Sequence, residues 1–189
     1  MENRLSKRNL WGYAIGAIPS GLLALIFNLK YIQFFYDQLG LILPLFIVGQ
    51  VIYMFVNAIN DPLLGHLSDR TNTQRWGSRR IIYIKYGAPI WALTFMIVWI
   101  PWSFDNQIVI FLHFVISVCL FDTMLTLVIL VWLALLPEMT SDLDERNKGN
   151  FLSILLGAIV ILPTFLIVGD MDPITLEFRL FMLFIAIIN

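Results

Sequence analysis

Charge is what this sequence has least of. Only 13% of its 189 residues are Asp, Glu, Lys or Arg, against 59% of apolar type. A water-soluble domain of this length cannot hide so much apolar surface, so the solvent must be lipid. The net charge is −1, and without a basic excess nucleic acid is not expected as a partner. Cysteine is nearly absent: Cys119 stands alone in an apolar run, which excludes an internal disulfide. No cleavable leader is expected either, because the apolar run after the basic first residues is far longer than a signal h-region and lacks a small-residue cleavage site, so it reads as a first membrane span. The sequence also contains no H-E-x-x-H, no phosphate-binding P-loop, no G-x-S-x-G elbow and no cysteine–histidine metal cluster. The chain is therefore expected to be no enzyme and to need no cofactor.

What is present is a series of apolar segments on the 20-residue scale of a bilayer, at 10–36, 41–67, 81–102, 107–136, 151–169 and 176–188. The links at 37–40 and 103–106 are so short that segments 1/2 and 3/4 must be antiparallel hairpins. Basic residues cluster before segment 1 (Arg4, Lys7, Arg8), between 2 and 3 (Arg70, Arg75, Arg79, Arg80) and between 4 and 5 (Arg146, Lys148). The two short links carry none. The basic side is the cytoplasmic side, which predicts a multi-pass protein with a cytoplasmic N-terminus. The sixth segment covers only about 20 Å at 1.5 Å per residue. It reads as an interrupted span, the alternative being a natural half-size protein.

The stretch NAINDPLLGHLSDR, Asn57 to Arg70, is polar where its segment should still be in lipid. Counting the helix rise from Leu41 puts Asn57 about 24 Å and Asp61 about 30 Å along the span. Counting from Gln107 puts Asp122 about 22 Å and Thr126 about 28 Å along segment 4. Asn57 and Asp61 are four apart and share a helix face that Asn60 borders; Asp122 and Thr126 repeat the spacing. The reading predicts that Asn57, Asn60, Asp61, Asp122 and Thr126 meet inside the bundle and form a cation or coupling site, since amide, hydroxyl and carboxylate oxygens are hard ligands. The bland alternative is helix capping and hydrogen bonding where Pro62 removes a backbone donor. Asp122 is an intramembrane acid and a functional candidate on that ground alone.

Other polar residues are weighed the same way. Lys30 is long enough to snorkel to the interface, which is favoured over a substrate role. His113 reads as a packed, satisfied histidine. Gly12, Gly16, Ser20, Ala24 and Asn28 recur every four residues, so packing is the default and a cavity wall the sharper reading. Trp91, Trp99, Trp102 and Trp132 read as interfacial anchors and packing residues.

Three motifs carry a family resemblance: INDPLLGHLSDRT followed by RWGSRR, LALLPEMTSDLDER at 133–146, and FFYDQLGL at 34–41. In this order and spacing they resemble the glycoside–pentoside–hexuronide cation symporters, a branch of the major facilitator superfamily. The resemblance implies an all-α membrane protein, with residues 1–189 forming the N-terminal six-helix bundle and a second six-helix bundle as partner. Solute would sit between the bundles near the midplane. It also implies that Asp69, Arg70, Arg79, Arg80 and Arg146 form a cytoplasmic gate. Asn60, Asp61 and Thr126 match the family pattern. Pro19, Ser20, Met54, Asn57, Ile129 and Leu133 replace its sugar-binding residues, and the loop after Arg70 is one residue longer.

The expected function is cation-coupled secondary transport of a small organic solute, with Na+ or H+ as coupling ion. Sugars or glycosides are the family default. Ser20, Asn28 and Lys30 are the candidates for the substrate cavity, and the plasma membrane is the expected location. The competing reading is a non-transporting scaffold, or a lipid- or lysolipid-handling protein, with the same fold.

Overall fold

The computed structural model describes residues 5–70 and 80–188. Arg4, Arg75 and Arg79 lie outside the described residues. Each apolar segment forms a helix: α1 is Lys7–Gln38, α2 Leu43–Asp69, α3 Ile81–Val98, α4 Gln107–Met139, α5 Leu143–Gly169 and α6 Leu176–Ile188. No strand occurs among the described residues. Helices α1 to α5 are long and apolar enough to cross a bilayer, and α6 has 13 residues. The chain is an all-helical integral membrane protein, as its apolar pattern predicts.

Helix ends depart from the apolar boundaries where polar residues continue the turn. α5 starts at Leu143 rather than at 151. Asp142 caps it, accepting the Asp144 amide at 2.8 Å, and Asp144 and Glu145 in the first turn suit the positive end of the helix dipole. α3 stops at Val98, before Pro101 can disrupt it. α1 is interrupted at Gly16, whose amide bonds the Tyr13 carbonyl at 3.1 Å, just before Pro19 removes the next donor. At its far end Gln33–Gln38 winds into a π-helical turn that buries Phe34 and Phe35. Gly40 then reverses the chain at φ 65°, a conformation that a side chain resists. Gln107 locks this hairpin by accepting the Ile42 amide and donating to the Gly40 carbonyl, each at 3.0 Å.

α4 packs between α2 and α3, α1 packs along α5, and α6 lies against α3 and α1. An aromatic core that includes Phe27, Phe34, Phe35, Phe95, Phe114 and Phe121 joins α1, α3 and α4. Trp91 and Trp99 are 1% exposed and belong to it, so they pack rather than anchor, while Trp102 stays exposed. His113 is packed as expected, with one ring nitrogen 3.2 Å from the Ile97 carbonyl and the ring stacked on Trp102, but it is only half satisfied, since its Nδ1 is buried with no partner among the described residues. Gly49 brings α2 close to α4, because a Cβ there would stand 2.5 Å from the Phe114 ring. α2 and α5 are the least buried of the long helices. They expose Phe55, Ile59 and Leu63 on α2, and Ile154, Leu162 and Leu166 on α5.

Candidate functional site

The side of α2 that meets α4 is set by Gly49, Tyr53 and Asn60, which lie within about 40° of one another around the helix. This register decides which polar residues are buried. Asn60 is buried and donates to Thr123 Oγ1 at 2.9 Å; Thr123 in turn donates to the Cys119 carbonyl at 2.7 Å. Tyr53 donates its hydroxyl to Asp122 Oδ1 at 3.0 Å. Asp122 is 6% exposed and its Oδ2 has no protein partner. Thr126 is buried one turn further along α4.

Asn57 and Asp61 do not join this cluster, contrary to the expectation of a single inward face. Both are exposed. The reason is the register: with Gly49 and Asn60 fixed against α4, helical geometry rotates Asn57 by about 60° and Asp61 by about 100° out of the seam. They lie on one flank of α2 with Gln50, which donates to the Tyr31 hydroxyl of α1 at 3.1 Å. The five candidate coupling residues thus fall into a buried seam (Asn60, Asp122, Thr126) and an exposed flank (Asn57, Asp61), and do not make one oxygen cage. Tyr53 and Thr123 are seam residues that sequence reasoning missed. The period running back from Asn60 through Tyr53 to Gly49 was the signal for the first.

The substrate-cavity candidates separate too. Ser20 lines a cavity, but its hydroxyl donates to the Gly16 carbonyl at 2.8 Å. Asn28 is exposed and donates to the Ala24 carbonyl at 2.8 Å. Lys30 does not snorkel. It is 4% exposed, and its ammonium donates to Gln33 Oε1 and to the Gly169 carbonyl, each at 2.9 Å. The close packing of α1 on α5 places the last carbonyls of α5, the negative end of its dipole, within reach of that amine. Gln38 is also bonded to Asp172.

A cavity of about 660 Å³ lies between α1, α3 and α4 near the basic helix ends, walled by Arg8, Asn9, Lys85, Leu135 and Met139 among others. A second, of about 470 Å³, continues deeper along the same helices toward Leu22 and Trp91. The two share Gly12, Gly16, Ile84 and Trp132 as walls. Trp132 is a partition here rather than an interfacial anchor. It stacks on Tyr13 with 4.8 Å between ring centroids, donates to the Tyr13 carbonyl at 3.1 Å and sits over Gly16, where a Cβ would come within 2.6 Å of it.

At the basic end Arg80 clamps the last turns of α2 and α4. It donates to Ser68 at 2.8 Å, Asp69 at 2.9 Å and Glu138 at 3.0 Å. The expected collar is only partly assembled. Asp69 and Arg80 are joined, Arg70 is exposed, and Arg79 lies outside the described residues. Arg146 instead donates to the Thr140 and Pro137 carbonyls, at 2.8 and 3.2 Å, and so closes the C-terminus of α4. Ser68 and Glu138 are the unforeseen members of the clamp.

Known proteins agree with this architecture. Residues 12–189 match the family described as MFS/sugar transport protein. The chain is 28% identical over 152 residues to Transmembrane protein 180 of Gallus gallus, covering 75% of this chain and 29% of that protein. It is 32% identical over 151 residues to Transmembrane protein 180 of Mus musculus, covering 74% and 28%. Identity is 34% over 145 residues to an uncharacterized symporter of Synechocystis, covering 73% and 26%. The matched region thus spans less than a third of these relatives. No solved structure matches the chain. The match runs through all six helices, so this chain belongs to the MFS/sugar transport protein family of the major facilitator superfamily.

Proposed function

We propose that residues 1–189 form the N-terminal bundle of a cation-coupled secondary transporter that moves a small organic solute across the plasma membrane, with its N-terminus cytoplasmic. The coupling ion is sodium or a proton. The partner is a second six-helix bundle, from the same polypeptide or from a second copy. The observation that carries this reading is the exposed flank of α2. Asp61 lies about 12 Å and Asn57 about 18 Å from the end of a 27-residue apolar helix. Asp61 therefore lies in the inner half of the span; a lipid-facing carboxylate costs about 2.5–3.5 kcal/mol at the bilayer centre and less toward the edge, and such residues normally face a bundle interior or a water-filled path. Asn57 and Asp61 on this flank would line the ion path, with the second bundle covering it. The Tyr53–Asp122 and Asn60–Thr123 bonds would hold α2 and α4 in register beneath it, and the Arg80 clamp would close the cytoplasmic end.

A non-transporting scaffold is the second reading, favoured by the apolar Ile129 and Leu133 at family sugar positions. Vesicles containing the protein separate the two. Under an imposed sodium or proton gradient the transporter accumulates a solute from a panel of sugars, glycosides and alkyl phosphates, and accumulation collapses when the gradient is dissipated. Single-cysteine variants at Gln38 and Asp105, in a Cys119→Ser background, label from the extracellular side. Gradient-independent equilibration of every solute, in protein of that orientation, sinks the coupled reading.

A further inference from the structure

Trp132 stands at a junction. The cavity at the basic helix ends and the deeper one between α1, α3 and α4 are separate spaces. A third cavity, of about 790 Å³, lies between α1, α4 and α5, walled by Ala17, Leu133, Ser153 and Gly157 among others. Of the described residues only Trp132 walls all three. An indole inside a helix bundle is normally fixed by close packing on every side. This one borders empty volume on several sides, so its ring can turn without displacing a helix.

The polar restraint on the ring comes from the break in α1. Pro19 has no amide to give the Ile15 carbonyl, so the helical ladder is open at this turn. The Tyr13 carbonyl accepts both the Gly16 amide and the Trp132 indole, each at 3.1 Å. The Tyr13 ring stacks on the indole. Gly16 leaves the seat free, since a Cβ there would stand 2.6 Å from Trp132 Nε1. When the indole leaves, the Tyr13 carbonyl keeps the Gly16 amide as donor, so opening orphans no backbone group.

We infer that Trp132 is a gate. With Nε1 bonded to the Tyr13 carbonyl it shuts the deeper cavity off from the one at the basic ends; when the bond is released the ring swings aside and the two spaces join. Tyr13 and Gly16 are positioning residues, the latch and the seat. Trp91, at the far wall of the deeper cavity, belongs to the packed aromatic core, so a water-soluble molecule enters that cavity past Trp132. The gate rests on the transport reading for its purpose, as the point where solute passes between the two spaces.

The test reads access to the deeper cavity apart from solute movement. Ala88 walls that cavity, and Lys85 walls only the one at the basic ends. Each is replaced singly by cysteine in a Cys119→Ser background. Labelling rates with a small cationic thiol reagent are measured on the full chain in nanodiscs, where both faces are open to it. Ala88→Cys labels much more slowly than Lys85→Cys. Trp132→Phe keeps a stacked ring but loses the N–H; it speeds labelling of Ala88→Cys about tenfold, the factor of one net hydrogen bond, and leaves Lys85→Cys unchanged. Gly16→Ala drives a methyl into the seat of the indole and does the same, whereas Gly12→Ala, where a Cβ meets nothing within 4 Å, changes neither rate. Combining Trp132→Phe with Gly16→Ala adds nothing further, because both release one bond. Labelling of Ala88→Cys that ignores both variants overturns the gate. So does an equal rise at Lys85→Cys, which reports general loosening. Gradient-driven uptake with unchanged labelling defeats the gate alone; variant-sensitive labelling without uptake leaves the gate standing and defeats the transport reading alone.

Discussion

Asp61→Asn abolishes gradient-driven accumulation while leaving the folded protein in the membrane. A membrane potential of 100 mV supplies about 2.3 kcal/mol per coupled charge, equivalent to about fifty-fold accumulation. That factor is lost when no side chain on the α2 flank balances the cation. Asparagine keeps the size and most of the hydrogen bonding, and exposed Asp61 has no packing contact of the kind that fixes Asn60. Stability should therefore change little, and the transport defect should not be a folding defect. Asn57→Asp, on the same flank one turn away, places two carboxylates together. Each then opposes ionisation of the other, so activity becomes more dependent on sodium concentration or on pH, according to which ion couples. Accumulation at full strength in well-folded Asp61→Asn protein removes Asp61 from the coupling step.

Gly49→Leu has the largest effect on stability. Its Cβ alone would overlap the Phe114 ring, and Phe114 is fully buried among Phe35 and Phe46. Nothing there can give way, so α2 must move off α4. Overpacking of this kind costs about 1–3 kcal/mol, and displacement of the helix would also strain the Tyr53–Asp122 and Asn60–Thr123 bonds. Gly65→Leu on the same helix is the control, since a Cβ there meets nothing within 4 Å. Thermal unfolding in nanodiscs should show a clearly lower midpoint for Gly49→Leu and a near-native one for Gly65→Leu. Equal midpoints would mean that the α2–α4 seam is looser than described.

The membrane class, the six helices and the short hairpins were legible because lipid imposes length and apolarity on every span. Charged continuations of helices were not: α5 begins in LDERNKGN because capping and dipole terms, not hydropathy, set its start. At the candidate site the residue types were legible and their facing was not. Asn57, Asn60 and Asp61 are close in sequence, yet a rotation of about 100° per residue divides them between seam and flank. Choosing among them required knowing that Gly49 is where Phe114 enters, a tertiary contact that composition does not encode. Lys30 was misjudged for the same reason. Snorkelling is the default for a lysine near a helix end, but a neighbouring helix terminus supplied acceptors that no local pattern announces.

The central claim is that the Asn57–Asp61 flank faces water or a second bundle rather than lipid. Cysteines placed singly at Asn57, Asp61, Phe55 and Ile59 in a Cys119→Ser background test it, with a membrane-impermeant cationic thiol reagent applied to the protein in vesicles. The first two positions lie on the polar flank and the last two on the apolar face of the same helix. The account predicts labelling at 57 and 61, slowed by sodium or by altered pH at 57, with 55 and 59 unreactive. Unreactive cysteines at 57 and 61, or equal reactivity at all four positions, would contradict it.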